Sequence, residues 1–221
     1  TTNTANELVG HWSFAGNLKD ATANQLHAVR GGEPTYEGSG TNAGIVLNGT
    51  DQFVKLPYHV GDMPTMTFAA WVKGSSTTAW QRIFDFGNGE AEYLFLTPTN
   101  GSAMRFEIKK GDVTQGLNAT TTLGTGTWKH VAVTIGASEV AIYINGAKNA
   151  STADITLRPS DIAPTMSYLG RSQFDADPTF SGSIGDVRIY NYALSADEVA
   201  ELANQKSAPQ AADSPYELTA A

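Results

Sequence analysis

The side chains with types and spacing suited to chemistry fall into three groups: carboxylates near a turn, an oxygen-rich loop, and aromatic residues beside polar runs. Paired carboxylates can hydrolyse a glycosidic bond, one as acid and the other as nucleophile or base. Carboxylates two residues apart on a strand share one face, and the sequence lacks the Glu-x-Asp-x-x-Glu motif of sandwich-fold glucanases. The nearest pair, Glu90 and Glu92, adjoins the turn signal Asn88-Gly89 and reads as a solvated loop. Ser, His and Asp are present for a triad, but there is no Gly-x-Ser-x-Gly elbow to expose a nucleophile. His11, His27, His59 and His130 are dispersed without the paired spacing of a zinc helix, and each reads as a hydrogen-bonded structural residue. With no cysteine, disulfides, thiolate nucleophiles, thiolate zinc sites and iron–sulfur clusters are all excluded.

The segment from Asp20 to His27, Asp-Ala-Thr-Ala-Asn-Gln-Leu-His, offers oxygens to a hard cation such as calcium, which takes roughly six to eight of them. It does not match an EF-hand, and an Asx turn between strands explains the same residues. Sugar binding needs an aromatic face to stack on the ring and polar groups to meet hydroxyls. Trp80, Tyr93, Phe95, Phe174 and Phe180 are the candidates near loops, with Trp80 set apart because it follows the polar run Gly74-Ser75-Ser76-Thr77-Thr78. Tyr93 and Phe95 fit a core role as well as a platform. Arg82, Asp85 and Arg105 could contact hydroxyls or form an internal salt-bridge network.

The elements that must position these groups are strands. The chain has 221 residues, 22 of them Gly, and the glycines fall with Asn, Asp, Ser and Thr between short apolar stretches, the punctuation of many strands joined by turns. Period-two alternation puts Met66, Phe68, Ala70 and Val72 on one face, with Thr67, Ala69 and Trp71 opposite. Val131, Val133 and Ile135 alternate in the same way with His130, Ala132 and Thr134, and Met104, Phe106 and Ile108 with Arg105, Glu107 and Lys109. Each strand thus has a dry face and a wetter one, which predicts an all-β fold: a two-sheet antiparallel β-sandwich, or jelly roll, with the dry faces together. Asn145-Gly146 after Val140–Ile144 predicts a hairpin. One helix is expected near the C-terminus, where Ser195-Ala196-Asp197-Glu198 forms a capping box ahead of Val199 and Leu202.

The formal charge is −8, which argues against binding nucleic acid, where Lys and Arg must neutralise phosphates. The longest apolar runs, such as Phe68 to Val72, fall far short of the roughly 20 residues of a membrane-spanning helix, so no membrane insertion is expected. Residues 1–7 and 207–221 read as linkers around one sandwich domain at 8–206, and the chain as a fragment of a longer multidomain protein.

The run Leu8-Val9-Gly10-His11-Trp12-Ser13-Phe14, then Asn17-Leu18-Lys19-Asp20, Phe68-Ala69-Ala70-Trp71-Val72, Trp128-Lys129-His130-Val131-Ala132-Val133-Thr134, Tyr143-Ile144-Asn145-Gly146 and Gly185-Asp186-Val187-Arg188-Ile189-Tyr190 resembles bacterial laminin-G-like, concanavalin A-like jelly-roll domains. The resemblance covers about Leu8 to Ala203. Trp80-Gln81-Arg82-Ile83-Phe84-Asp85-Phe86-Gly87, followed by Tyr93-Leu94-Phe95-Leu96-Thr97-Pro98, is similar to the branch appended to secreted glycoside hydrolases, including arabinan-active ones. It implies an extracellular, non-catalytic accessory module that binds a polysaccharide or glycan and neighbours the other domains of a parent enzyme. It also implies a structural calcium held by Asp20 and Asp186, with Asn24 and His27 in the same loop. The loop departs from the family's Asp-x-Ser-Gly-Asn version, with Ala23 where Gly is usual. The expected ligand contacts are Trp80, Arg82, Asp85, Tyr93 and Arg105. The alternatives are a structural or adhesive spacer working through protein contacts and, more remotely, a stand-alone glycoside hydrolase.

Overall fold

A computed structural model describes residues 5–39 and 42–205. The first strands are β1 (Leu8–Trp12), β2 (Val29–Gly31), β3 (Thr35–Glu37), β4 (Gly44–Asn48), β5 (Phe53–Leu56), β6 (Met66–Gly74), β7 (Phe84–Gly87) and β8 (Glu92–Thr97). They are followed by β9 (Arg105–Lys110), β10 (Val113–Asn118), β11 (Lys129–Ile135), β12 (Val140–Ile144), β13 (Ala147–Thr152), a one-turn helix α1 (Pro159–Ile162), β14 (Met166–Leu169), β15 (Ser181–Tyr190) and α2 (Ala196–Asn204). One sheet has eight strands in the order β13-β12-β11-β6-β15-β4-β3, with β1 also paired to β15; the other has seven, in the order β10-β9-β8-β7-β14-β5-β2. All pairings are antiparallel. The molecule is the expected sandwich.

The alternation seen in the sequence builds the interior. Met66, Phe68, Ala70 and Val72 of β6 meet Phe84 and Phe86 of β7, Leu94 and Leu96 of β8, and Phe106 and Ile108 of β9 in one buried cluster. Phe68 and Phe84 lie 4.3 Å apart between ring centroids. Asn145 and Gly146 both have positive φ, 51° and 79°, the geometry of a two-residue type I′ turn. In α2, the Ser195 side chain accepts from the Glu198 N–H and Glu198 accepts from the Ser195 N–H, which completes the capping box.

Three details differ from the expectation. The opposite face of β6, β11 and β12 is not uniformly wet: the small side chains Ala69, Ala132 and Ala141 are buried beneath Leu194, Val199 and Leu202 of the α2 region. Helix α1 follows from Pro159 at its first position and an Asp161 carboxylate accepting from the Arg158 N–H. The strand expected from Arg82 starts only at Phe84, leaving Gln81 and Arg82 in a buried approach segment. The tail expected at 207–221 lies outside the described residues.

Candidate functional site

The seven-stranded sheet turns Phe84, Phe86, Leu94, Leu96, Phe106 and Ile108 inward, so Asp85, Tyr93, Phe95 and Glu107, at the alternate positions, face away from the core. Strand register aligns them: Asp85 is opposite Phe95 and Phe95 opposite Glu107, with Tyr93 one pleat along. Two loops roof this outer face, bringing Trp80 from one side and Phe174 and Asp177 from the other. Together Trp80, Arg82, Tyr93, Phe95, Glu107, Phe174 and Asp177 line a cleft of about 200 Å³. Tyr93 and Phe95 stack at 5.4 Å and Phe174 meets Tyr93 edge-on at 5.5 Å. Trp80 remains 39% exposed.

Arg82 organises the cleft. It is buried, lies 4.0 Å over the Phe95 ring, and donates to the Asp85 carboxylate at 3.1 Å and the Asp177 carboxylate at 2.5 Å. A further N–H bonds the Trp80 carbonyl. The Trp80 N–H donates to Thr99 O at 2.9 Å, so both of its peptide groups are fixed while φ is held at 67°, in the left-handed region. Asp85 also accepts from the Gln173 N–H and, at longer range, from the Ser172 hydroxyl. Its Oδ1 is buried with no partner. Burial pushes the Asp85 carboxyl up to about 7, against the downward pull of Arg82 and these hydrogen bonds. On the far wall the Tyr93 hydroxyl donates to Glu107 at 2.8 Å, and Arg105 Nε donates to the other Glu107 oxygen at 2.8 Å. Burial, and then Glu107, raise the Tyr93 phenol above its ordinary range.

The five residues expected to contact a ligand therefore share one cluster in graded roles. Trp80, Arg82 and Tyr93 line the cleft, Asp85 supports Arg82 from beneath, and Arg105 stands behind Glu107. Phe95 and Phe174 join the walls, whereas Phe180 belongs to the core. Glu107 and Asp177 were not anticipated. Glu107 sits on the same outward row as Arg105, and its alternation was visible; Asp177 comes from an irregular loop with no periodic signal.

A model of the concanavalin A-like lectin/glucanases superfamily matches residues 48–200, more than half of the chain. The chain belongs to this superfamily. An α-L-arabinofuranosidase of Bifidobacterium longum subsp. longum is 22% identical over 84% of the chain, which spans 20% of that relative's length. Domain 4 of AbnA, an extracellular GH43 arabinanase from Geobacillus stearothermophilus solved in complex with arabinotriose, matches with a TM-score of 0.80 and 24% identity over 90% of this chain and 99% of that one. The binding domain of botulinum neurotoxin serotype C1 matches with a TM-score of 0.72 and 14% identity, over 89% of this chain and 51% of that one. At these identities the likeness is one of fold.

In this concanavalin A-like domain, the residues expected to hold calcium do not form a cation cage. Asp20 Oδ1 accepts the His11 and Thr22 N–H groups, and Oδ2 accepts the Thr22 hydroxyl and the Leu26 N–H, all at 2.7–2.9 Å. Burial acts to raise this carboxyl, but the hydrogen bonds win and hold it below its ordinary value. Asn24 directs its amide nitrogen to Val9 O, and His27 Nδ1 accepts the Asp20 N–H. Asp186 pairs with His11 Nε2 at 2.5 Å and with Arg188 Nε at 3.1 Å. His11 thus joins the two aspartates, its N–H on one and its ring on the other, the link an ion was expected to make. Among the described residues no three His, Asp or Glu converge on one point. The donors do not fit calcium. Glu90 is exposed in the turn before β8, and Glu92 sits at the strand end with Asn88 donating to it at 3.3 Å.

Proposed function

We propose that this domain is a non-catalytic carbohydrate-binding module of an extracellular glycoside hydrolase, and that the outer-face cleft at Trp80 receives a sugar residue of an arabinose-containing polysaccharide. The observation that carries the reading is the cleft itself: an exposed indole beside a floor of stacked aromatic rings and fixed charged groups, on the solvent side of a rigid sheet. The open face of the Trp80 ring meets the carbon-bound hydrogens of a sugar, while Asp177 and Glu107 supply hydroxyl partners beside it and Arg82, buried over Phe95, holds Asp177 in place. A cleft of about 200 Å³ is small beside the roughly 300–1,000 Å³ of drug-sized ligand sites, and suits one sugar ring with the chain leaving it on either side. The arabinotriose complex of the AbnA domain supports arabinose as the first sugar to test.

The carboxylates in the cleft favour binding over hydrolysis. Glu107 is held by Tyr93 and Arg105, and Asp177 by Arg82 and Ser172, so neither is presented as a general acid with its partner across a scissile bond. Affinity electrophoresis and calorimetry against arabinan, xylan, galactan and mucin glycans test the proposal. Binding to arabinan is expected, and loss of that binding in Trp80→Ala locates it. No binding to any of the four would leave the domain as a spacer acting through protein contacts.

A further inference from the structure

Among the described residues, four large hydrophobic side chains stay open to solvent: Val29, Tyr58, Trp80 and Val113. Trp80 belongs to the cleft above. Val29 and Tyr58, exposed by 58% and 63%, both line a second and larger cavity of about 350 Å³, completed by His27, Lys55, Pro57 and Thr165 among others. This cavity lies on the same outer face as the first. Val54 and Leu56 of β5 are inside the core, so Lys55 between them points outward. The pairing then runs in one unbroken row across the sheet: Val29 opposite Lys55, Lys55 opposite Tyr168, Tyr168 opposite Asp85, and Asp85 opposite Phe95. The ground between carries aromatic rings as well, with Phe53 edge-on to Tyr168 at 5.6 Å and Arg171 lying over both.

We infer that the Tyr58 cavity is a second glycan subsite, occupied by a more distant residue of the same polysaccharide chain that fills the Trp80 cleft. The inference rests on the proposed carbohydrate-binding function and extends it to the length of ligand recognised. Tyr58 presents an open ring, tilted against His59 at 4.1 Å, where the backbone again turns left-handed with φ of 70°. His27, Lys55 and Thr165 bring polar groups to the same cavity. His27 Nδ1 accepts the Asp20 N–H, so its Nε2 carries the ring proton in the neutral form and is a donor; Lys55 adds an exposed ammonium. From Lys55 to Phe95 are three strand spacings, about 14–15 Å at 4.7–4.9 Å each, or roughly one sugar residue per strand. A trisaccharide seated at Trp80 stops short of Tyr58, whereas a hexasaccharide or longer chain reaches both. Binding at the second site then becomes intramolecular, which raises affinity without altering the first.

Calorimetry with linear arabino-oligosaccharides of three and eight residues tests this on the whole chain, in the parent and in Tyr58→Ala and Trp80→Ala, with circular dichroism to verify folding. The parent should bind the octasaccharide at least tenfold more tightly than the trisaccharide. Tyr58→Ala should leave the trisaccharide within twofold and remove most of the octasaccharide's advantage; Trp80→Ala should weaken both. Tyr58→Phe, which keeps the ring, should retain the advantage. Trisaccharide binding with no gain at eight residues, or a gain untouched by Tyr58→Ala, overturns the second subsite and leaves the first intact. Absence of binding at either length overturns the carbohydrate-binding reading and the subsite with it.

Discussion

Trp80→Ala should weaken arabinan-oligosaccharide binding by roughly five- to thirtyfold while leaving the sandwich folded. An aromatic side chain buries on the order of 150–250 Å² when fully covered, and Trp80 keeps 39% of its surface open, so a stacked sugar can cover about 60–100 Å². At roughly 25 cal/mol/Å² that area is worth about 2 kcal/mol, near thirtyfold in Kd; part of it offsets ordering of the ligand, which sets the lower figure. The glycine variant adds a control that separates binding from backbone strain. Because φ at position 80 is 67°, alanine there retains the left-handed cost that glycine avoids, so Trp80→Gly should be about 1 kcal/mol more stable than Trp80→Ala and no better at binding. Calorimetric titration and thermal melts of the three proteins provide the comparison. Binding by Trp80→Ala within twofold of the parent would refute the assignment of the indole as a platform.

Arg82→Met should cost about 3–5 kcal/mol, since it leaves Asp85 buried without its cation, and urea unfolding would register it; a loss under 1 kcal/mol would show that the Arg82 network is dispensable. Asp85 has a folded pKa near 7 against an ordinary 3.8, so the folded state holds a proton that the unfolded chain releases. Its contribution is complete below pH 3.8 and is lost as the pH climbs through 7. Between those values the parent should lose stability relative to Asp85→Asn, and parallel melting curves from pH 4 to 7 would contradict that. His130 is buried with its pKa pushed down to about 4 from 6.5; its contribution is present above 6.5 and lost as acid protonates it, so His130→Gln should flatten the acid limb of the melting profile. Chelator or added calcium should leave the melting temperature unchanged, because the Asp20 oxygens already accept four protein hydrogen bonds. A calcium-dependent rise of several degrees would restore the metal site.

The strands that alternation exposed in the sequence are the interior ones. β6, β11 and β9 each press an apolar row into the core, and burial imposes a strict period. The strands without such a pattern, β2, β3, β10 and β13, are the four ends of the two sheets, and of these the sequence announces only β13, through the Asn145-Gly146 hairpin turn. An edge strand has one neighbour and little to bury, so Val113-Thr114-Gln115-Gly116-Leu117-Asn118 and Ala147-Lys148-Asn149-Ala150-Ser151-Thr152 carry no clear apolar alternation. The same logic applies to the cleft. Trp80 stood out because a large ring followed a polar run, and Arg82, Asp85, Tyr93 and Arg105 were legible from type and position. That Asp177 and Phe174 would arrive from a loop some 95 residues beyond Arg82 depends on the β14–β15 connection folding across the face of the sheet, a tertiary fact with no periodic trace. The Asp20 loop was legible as an oxygen-rich turn, but the choice between a cation and backbone N–H groups as its partners depended on how closely His11, Thr22 and Leu26 approach.

The most direct test of the central claim is a two-dimensional amide and indole NMR titration of the isotope-labelled domain with arabinohexaose. The expected result is saturable shifts of the Trp80 indole N–H and of amides at positions 82, 93, 95 and 174, with the outer face of the eight-stranded sheet unmoved. Shifts confined to that other sheet, or none at millimolar sugar, would contradict the placement of a glycan site in the Trp80 cleft.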